Sequence, residues 1–387
     1  MIYLDNGATS FPKPQSVIDA MAYYQRCVGA NPGRGGHSLT MKAGSKVFDA
    51  REKLASFFGT ESERVIFTLN CTHSLNCAIK GSVKKGDHVI ISSLEHNSVL
   101  RPVHRLFERG IITYDVAFVN PLSEEETLRN FEKLIKPETT LIVCTLVSNV
   151  FGTVLPAEKI AELCRRHKIR FVLDGAQGAG AFKINMKDMG ADILCIPCHK
   201  GLLGPMGTGA MLLFEGVNLQ SLAEGGTGSY SMQKEQPDIL PDKFESGTAN
   251  LPGIAGVYEG VRFIEGFGGE RAVHEKEMYL SDILREDLSV IKGVEGFGFM
   301  QGRIRSPLVA FNIKNTHSEE VSSYLDKQGI AVRAGYHCSF LAHSNYGTEQ
   351  RGVVRVTPGI FNTKKDVKTL SFLINRFAID DKMCYTK

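Results

Sequence analysis

Short apolar runs alternate with amphipathic helical stretches from about residue 60 to about residue 215, and this alternation constrains the possible fold more than any other feature. The runs rich in β-branched residues are 65–69, 88–92, 112–119, 140–147, 170–173, 192–196 and 210–214. Strands that alternate with helices form a largely parallel or mixed sheet covered by helices on both faces. Functional sites in such sheets lie at the carboxyl ends of the strands.

Two further patterns define the domain organisation. Between the apolar runs, stretches 125–135 and 157–167 have the periodicity of amphipathic helices. Beyond residue 249 the sequence predicts long helices at 255–267 and 275–291, strands at 306–313 and 330–333, and helices at 318–328 and 364–379. Because no Pro-rich or Ser-rich linker intervenes, we expect two closely packed domains that share a cleft. The large domain would span 15–255, and the small domain would combine 1–14 with 256–387.

Charge and cysteine usage exclude several function classes. The 45 Lys and Arg residues against 42 Asp and Glu residues give a dispersed net charge of +3, which predicts no partner among nucleic acids or anionic membranes. No stretch approaches the roughly 18 apolar residues of a membrane span, and no secretory leader is recognisable. Nine scattered cysteines, an odd number, argue against a secreted disulfide framework. We therefore expect a cytoplasmic location.

An acidic and a basic residue follow two neighbouring predicted strands. Asp174 ends the run 170–173, and Lys200 follows the run 192–196, so both lie at the same edge of the sheet. An Asp at a strand end is often only a turn or cap residue, and a loop lysine is often only solvated. Together, however, they are the pair that pyridoxal phosphate requires: a lysine for the Schiff base and a carboxylate for the pyridinium nitrogen.

Two other strand ends carry residues that fit such a cofactor. Thr72 follows the run 65–69 and opens a predicted helix, where its hydroxyl and the backbone amides could receive a phosphate. The simpler alternative is that Thr72 or Ser74 is a helix cap. His96 follows the run 88–92 and could stack on the pyridine ring, although a single histidine at a strand end is more often a surface residue.

The order of these motifs resembles the class V aminotransferase fold, and within it the cysteine desulfurases and selenocysteine lyases. The motifs are Tyr3-Leu-Asp-Asn-Gly-Ala8, Glu95-His96, Ser148-Asn149-Val-Phe-Gly152, Asp174-Gly-Ala-Gln177, His199-Lys200 and Phe244-Glu-Ser-Gly247-Thr248-Ala-Asn250. The resemblance extends from about residue 2 to about residue 375. It implies a pyridoxal-phosphate-dependent transferase fold of the aspartate aminotransferase type (fold type I), with a large domain around a seven-stranded, mostly parallel sheet and a small α/β domain.

The resemblance also implies a homodimer with both active sites at the subunit interface, and it assigns roles to individual residues. Lys200 would form the Schiff base, Asp174 would pair with the pyridine nitrogen, and His96 would stack on the ring and take part in catalysis. The other implied cofactor contacts are Gln177 near the ring oxygen, Cys71, Thr72 and His199 at the phosphate, and Thr248 at the phosphate of the partner's cofactor. The implied substrate contacts are Ala8, Asn149, Arg333 and Arg355. No metal is implied.

Cys338 decides which reaction the resemblance implies. Most free cysteines are small buried hydrophobic residues, and we expect this of Cys77, Cys144, Cys164 and Cys195. Cys338 instead lies on a Gly-containing loop among Arg333, Tyr336 and His337, where cations could favour the thiolate. The matching cysteine of the desulfurases is the nucleophile. The resemblance implies that L-cysteine or L-selenocysteine is converted to alanine and that the sulfur of a persulfide on Cys338 passes to an acceptor protein or thiol. The short spacing to Arg355 indicates a short, ordered loop.

Several alternatives remain open at this stage. A class V transaminase, lyase or epimerase would keep the cofactor site and use Cys338 only incidentally. Cys195 and Cys198 form a C-x-x-C pattern that could belong to a zinc or redox module, but no second ligand pair is visible. A sulfur-relay protein could use Cys384 in the tail. Pro197, Cys71 and His73 depart from the usual residues around the phosphate, and Arg34 is a weak candidate for a loop over the partner's site.

Overall fold

The computed structural model describes residues 1–33, 35–299 and 305–384. The strands are β1 (Ile2–Tyr3), β2 (Val65–Thr68), β3 (His88–Ser92), β4 (Thr113–Ala117), β5 (Thr139–Thr145), β6 (Arg170–Asp174), β7 (Ile193–Pro197), β8 (Gly209–Leu213), β9 (Val294–Phe297), β10 (Val309–Ile313), β11 (Ile330–Ala331), β12 (Arg333–Gly335) and β13 (Val353–Val356). The α-helices are α1 (Gln15–Tyr23), α2 (Ser38–Phe58), α3 (Cys71–Ser82), α4 (Asn97–Glu108), α5 (Glu124–Lys133), α6 (Ala157–His167), α7 (Met186–Met189), α8 (Leu251–Phe267), α9 (Gly269–Ser289), α10 (Ser318–Lys327), α11 (Phe340–Tyr346) and α12 (Lys364–Cys384).

The large domain is built on a seven-stranded sheet of order β2-β8-β7-β6-β5-β3-β4. The strands from β7 to β4 are parallel to one another, and β8 runs antiparallel to both of its neighbours. All seven apolar runs of the sequence form strands of this sheet, which confirms the predicted mostly parallel α/β fold. The carboxyl ends of β3, β5, β6 and β7 therefore meet at one edge.

The central strands are buried on both faces. In β5, Leu141 and Val143 pack in one core with residues of α3 and α4. Ile142 and Cys144 point to the opposite face and pack in a second core with residues of α6 and α8. This alternation follows from the two-residue period of a strand, and it explains why β5 is apolar from Leu141 to Cys144 instead of alternating with polar residues.

The small domain has a core of its own around the antiparallel sheet β12-β13-β10-β9. Leu280 and Leu284 of α9 pack in this core with residues of α10 and α12. Leu4 joins it from the amino terminus, where β1 pairs with β11. The expected boundary at residue 255 falls inside α8, which packs against α1 and α2. Val273 of α9 still belongs to the large-domain core, so the two cores meet within α9.

None of the helices in the described residues combines the length and the apolar character that a membrane crossing requires. The sequence patterns did not predict α1, α2, α4, α7, α11, β1, β9 or β13. Three of these elements matter for the site, because His96 caps α4, β13 carries Arg355 and α11 begins two residues after Cys338.

Candidate active site

A cavity of about 180 Å³ lies at the carboxyl edge of the large sheet, and we call it the sheet-edge cavity. Eight of the residues predicted for the site line it: Cys71, Thr72, His96, Asn149, Asp174, Gln177, His199 and Lys200. The remaining lining residues include Asn70, Ser98, Thr145 and Pro197. The sequence expectation that these strand ends converge on one site is therefore met by the geometry.

Asp174 ends β6 and is almost fully buried beneath the cavity. Its Oδ1 accepts hydrogen bonds from the Ala176 backbone N–H at 2.9 Å and from the Cys71 thiol at 3.4 Å. Burial raises the pKa of Asp174, and the hydrogen bond from Ala176 and the nearby Lys200 charge act in the opposite direction. Among the described residues, no group donates a hydrogen bond to Oδ2. This oxygen is available to a cationic nitrogen in the cavity.

Lys200 lies three residues beyond β7, at the neighbouring position of the same edge. Burial lowers the pKa of Lys200, and the positive charge of Arg355 lowers it further. The Nζ of Lys200 makes no hydrogen bond within the described part of the chain. The loop after Lys200 packs tightly against the loop after β6, since a Cβ on Gly201 would lie 2.2 Å from the Ala179 carbonyl oxygen. Only glycine permits this approach, which brings the two strand ends together.

The helix α3 begins at the other end of the cavity. Asn70 caps it by accepting a hydrogen bond from the His73 backbone N–H at 2.9 Å. His199 faces the same region, and its Nδ1 is buried without a hydrogen-bond partner among the described residues. Burial and the charges of Lys200 and Lys13 lower the pKa of His199 to about 4. A neutral imidazole with an unused nitrogen and a helix amino terminus together favour an anion at this end.

His96 is the N-cap residue of α4. Its Nδ1 accepts a hydrogen bond from the Ser98 backbone N–H at 3.1 Å and lies 2.8 Å from the Ser98 hydroxyl. Burial, followed by the charges of Lys200 and three arginines, lowers the pKa of His96 to about 4. The ring is therefore neutral at neutral pH, and the cap fixes its orientation at the rim of the sheet-edge cavity.

Cys338 lies on a tight loop after β12, residues 336–339, which we call the cysteine loop. His337 and Cys338 have positive φ values of 48° and 56°, and the Cys338 side chain is exposed. Three hydrogen bonds hold the loop: Asn97 N to Cys338 O at 2.7 Å, Asn149 Nδ2 to His337 O at 2.8 Å, and Ser339 Oγ to Asn149 Oδ1 at 2.6 Å. Two successive non-glycine residues in the left-handed region persist because the surrounding contacts fix them.

Asn149 and His337 have hydrogen-bond partners that the sequence did not predict. Both polar atoms of the Asn149 amide are engaged by the cysteine loop, so this side chain positions the loop; its contact with a substrate stays a prediction. His337 is buried with Nε2 on the Val353 carbonyl oxygen at 3.0 Å. Burial and the charge of Arg355 lower its pKa well below the usual value. His337 therefore supplies no positive charge to the thiol of Cys338.

Arg333 on β12 and Arg355 on β13 are directly opposite residues of an antiparallel pair, so their side chains leave the same face of the sheet. Arg355 is buried, with Nη2 2.8 Å from Asp5 Oδ1 and Nη1 2.9 Å from the Asn149 carbonyl oxygen. Its Nε has no partner among the described residues, and burial lowers its pKa. Both guanidinium charges act on Lys200. This concentration of positive charge favours an anionic substrate group.

The residues near the amino terminus complete this side of the site. Gln177 donates from Nε2 to the Gly7 carbonyl oxygen at 2.9 Å, which leaves its second amide hydrogen and its carbonyl oxygen for a ligand. Ala8 follows in a turn, with its backbone N–H on the Asp5 carbonyl oxygen. Gly7 packs against Arg355, so this turn and the guanidinium are adjacent.

Thr248 lies outside the sheet-edge cavity. It is exposed and lines a second cavity of about 440 Å³, together with the ion pair of Arg51 and Glu245. Its contact with a partner's cofactor stays a prediction. Arg34 and the side chain of Cys384 lie outside the residues that the structure describes.

The other cysteines lie where the sequence predicted. Cys77, Cys144, Cys164 and Cys195 are buried in the two large-domain cores. Cys198 is buried too, and burial raises its pKa to about 12. Within the described ranges, no three His, Cys, Asp or Glu residues form a group that could hold a metal ion.

Sequence reasoning missed the residues that support the site: Asp5, Asn97, Ser98 and Ser339. Asn97 acts through its backbone N–H, Ser339 through a short hydroxyl and Asp5 through an ion pair with the distant Arg355, and such contacts leave little signal in a single sequence. Ser98 is the exception, because a polar residue two positions after a helix cap is a recognisable capping pattern.

Comparison with known proteins agrees with this architecture. The sequence model of the aminotransferase class-V family matches residues 2–370. A "Probable cysteine desulfurase" of Methanothermobacter thermautotrophicus is 32% identical over 97% of this chain and 94% of its own. A protein of the same description from Halalkalibacterium halodurans is 32% identical over 96% of this chain and 91% of its own.

Solved structures are similar over almost the whole chain. The apo structure of a cysteine desulfurase from Thermococcus onnurineus NA1 has a TM-score of 0.91 and 28% identity, and the match covers 98% of this chain and 95% of that one. The cysteine desulfurase CsdA of Escherichia coli, in an S-sulfonic acid form, has a TM-score of 0.86 and 23% identity, and the match covers 98% of this chain and 94% of that one. This second likeness shows the shared fold.

Proposed function

Because the chain belongs to the class-V aminotransferase family, we propose that it is a pyridoxal-phosphate-dependent cysteine desulfurase that forms a persulfide on Cys338. One observation carries the proposal: the sheet-edge cavity joins Asp174 and Lys200, while the exposed Cys338 is bound through Asn97 to the helix that His96 caps. The relatives described as probable cysteine desulfurases support the same activity.

The residues of the sheet-edge cavity fit pyridoxal phosphate. The Nζ of Lys200, which is half-buried, and the Oδ2 of Asp174, which is buried, have no hydrogen-bond partners in the described part of the chain. The buried Nδ1 of His199 is likewise unpartnered. An amine, a carboxylate and a phosphate-binding imidazole without internal partners are the groups that a phosphorylated pyridine aldehyde would engage.

Each residue then has a specific binding role. Lys200 would hold the aldehyde carbon, Asp174 the ring nitrogen, and His96 one face of the ring. The phosphate contacts would come from Thr72, His199 and the amino terminus of α3, with Gln177 at the ring oxygen and Cys71 behind Asp174. When bound, the cofactor supplies an electron sink that stabilises negative charge at the substrate α-carbon.

The charge of the site orients an amino acid. The guanidinium of Arg355 is held by Asp5 and retains an unpartnered Nε, so it can receive the substrate α-carboxylate, with Arg333 beside it. Ala8 lies in the adjacent turn. The burial that lowers the pKa of Lys200 increases the neutral fraction of its amine, and Nζ can then remove the substrate α-proton.

Cys338 performs the sulfur transfer. Its thiolate Sγ attacks the sulfur of the substrate, so an S–S bond forms on Cys338 while the C–S bond of the substrate breaks. The electron pair of the C–S bond stays with the carbon skeleton, which is protonated and leaves as L-alanine. Because Cys338 is exposed, an acceptor protein or thiol can then take the outer sulfur by exchange.

Three finer features belong to the same proposal. We propose a homodimer in which Thr248 reaches the partner's cofactor phosphate, and sedimentation at micromolar concentration tests it, because a monomer would contradict this role. L-selenocysteine is a second possible substrate, since it differs from L-cysteine by one atom. A reducing cytoplasm is the proposed location, and the free, scattered cysteines support it.

The test is an assay of L-alanine and sulfide from L-cysteine with dithiothreitol present, for the protein loaded with pyridoxal phosphate. Cys338→Ala is expected to abolish sulfide release. Cys27→Ala, which removes another exposed thiol, is the matched control and should retain it. Undiminished sulfide release by Cys338→Ala would refute the persulfide mechanism and would favour a class V enzyme that uses Cys338 incidentally.

A further inference from the structure

Three side chains on the wall of the sheet-edge cavity form an unbroken hydrogen-bonded chain. The Thr72 hydroxyl lies 2.7 Å from the Ser98 hydroxyl, and the Ser98 hydroxyl lies 2.8 Å from His96 Nδ1. All three residues line the cavity, and Ser98 is buried between the other two. The chain thus connects the phosphate end of the cavity with the imidazole. Each hydroxyl has one proton, so the direction of one bond determines the direction of the next.

The backbone hydrogen bond at His96 assigns one direction to this chain. The Ser98 backbone N–H donates to His96 Nδ1, so this nitrogen is an acceptor and the proton of the neutral ring is on Nε2. The Ser98 hydroxyl then donates to Nδ1 as well. Its oxygen is left to accept, and the hydroxyl proton of Thr72 must fill the 2.7 Å separation. In this arrangement Thr72 has no proton left to donate to a ligand.

A phosphate group at Thr72 requires the opposite direction. Phosphate oxygens are acceptors, so the Thr72 hydroxyl would donate to the ligand and expose a lone pair to Ser98. Two hydroxyl oxygens at 2.7 Å need a proton between them, and only Ser98 can then supply it. The Ser98 oxygen would in turn accept from Nδ1–H, and Nε2 of His96 would lose its proton.

We propose that Ser98 is a positioning residue that couples occupation of the phosphate end of the cavity to the tautomer of His96. Without an anion at Thr72 the ring proton is on Nε2, and with an anion it is on Nδ1. The inference rests on the cofactor site of the proposed function. It adds Ser98 to the residues of the site and predicts which ring nitrogen of His96 carries the proton.

The switch changes what His96 can do. Among the described residues, Nε2 makes no hydrogen bond, so it is the ring nitrogen left for a ligand. It is a donor in the empty site and an acceptor once the phosphate is seated. The imidazole can then accept a proton only after the cofactor has bound. The free energy of phosphate binding must also compensate for the loss of the capping hydrogen bond from the Ser98 backbone N–H to His96 Nδ1.

The test follows the imidazole nitrogens directly. The full chain without cofactor is labelled with ¹⁵N-histidine, and His96→Gln identifies the resonances of His96. Inorganic phosphate, and then pyridoxal phosphate, is added at concentrations at which calorimetry shows saturation. We expect the proton to move from Nε2 to Nδ1 in the wild type. In Ser98→Ala and in Thr72→Val, neither ligand should move it.

Ser74→Ala is the matched control, because the Ser74 hydroxyl also bonds a neighbouring hydroxyl, that of Thr68, at 2.7 Å but has no link to His96. It should behave as the wild type does, and Ser98→Thr should restore the switch. Binding without any change of tautomer in the wild type would overturn the inference and leave the proposed function intact. The same change in Ser98→Ala would overturn it too. Absence of binding by either ligand would overturn the cofactor site as well.

Discussion

The backbone N–H of Asn97 donates a 2.7 Å hydrogen bond to the carbonyl oxygen of Cys338. This bond joins the small-domain loop that carries the thiol to the first turn of α4, which His96 caps. The proposed nucleophile and the proposed ring-stacking residue are therefore positioned by adjacent backbone groups. Movement of the small domain relative to the large one would change the distance between them, and we therefore expect the proposed reaction to depend on this contact.

Asn149 should act on the cysteine loop. Asn149→Ala removes two buried hydrogen bonds, and Ser339→Ala removes one of them, each worth about 1–3 kcal/mol when a buried partner is left unsatisfied. We expect faster amide hydrogen exchange at residues 337–339 and a fall in kcat of about tenfold or more for Asn149→Ala. The effect of Ser339→Ala should be smaller. A rise in KM alone, with unchanged exchange, would instead indicate a substrate contact.

Gly7→Ala should disturb the arginine that is proposed to bind the substrate carboxylate. The added Cβ would lie 2.8 Å from Thr357 Oγ1 and 3.4 Å from Cζ of Arg355. The 2.8 Å contact must be relieved by a shift of Thr357 or of the turn at Gly7, and because this turn lies against the guanidinium of Arg355, we expect KM for L-cysteine to rise about tenfold, the equivalent of about 1.4 kcal/mol. Gly266→Ala is the control, since its Cβ would contact nothing within 4 Å. An unchanged KM in Gly7→Ala would argue against this role of Arg355.

The raised pKa of Glu95 predicts that the stability of the protein depends on pH. It is fully buried, and burial raises its pKa from about 4.5 to about 8, so the folded protein holds a proton that the unfolded chain releases. The free energy of unfolding should therefore fall as pH rises between these two values. Glu95→Gln keeps an oxygen for the Thr145 N–H and removes this contribution. We expect urea unfolding at pH 5 and at pH 8 to show that the free energy of unfolding of Glu95→Gln, relative to that of the wild type, is higher at pH 8 than at pH 5. An equal difference in free energy of unfolding between variant and wild type at both pH values would contradict the raised pKa of Glu95.

Lys200→Ala should prevent covalent attachment of pyridoxal phosphate and abolish the visible absorbance of the Schiff base. Lys183→Ala, at an exposed lysine, is the control. Because the neutral amine is the nucleophile, incorporation into the wild type should accelerate with rising pH. The rate of incorporation should level off at a pH below 10.5, the ordinary pKa of a lysine side chain, because burial and the charge of Arg355 lower the pKa of Lys200. A rate that still rises beyond that value would contradict the lowered pKa.

The sequence contained enough information to predict the large sheet. Runs such as 88–92 and 192–196 are apolar because these strands are covered on both faces, and β3 and β7 are buried throughout. The first two long helices and β13 were not predicted. β13 is only four residues long, and one of them, Arg355, is charged and yet buried, which hides the strand from a hydropathy pattern.

The site was predictable where it depends on strand ends, as for Asp174 and Lys200. It was not predictable where it depends on long-range hydrogen bonds. The contact of Asn149 with Ser339 joins residues 190 positions apart, and nothing local to either residue indicates it. The neutral state of His337 was missed for the same reason, since burial by distant segments sets its pKa.

The proposed sulfur transfer is tested most directly by mass spectrometry of the protein loaded with pyridoxal phosphate after one turnover with L-cysteine and no reductant. The peptide that contains Cys338 should gain one sulfur atom, removable by dithiothreitol, in equal amount to the L-alanine released. Alanine release with no sulfur on Cys338, or with the sulfur on another cysteine, would contradict the proposal that Cys338 is the nucleophile.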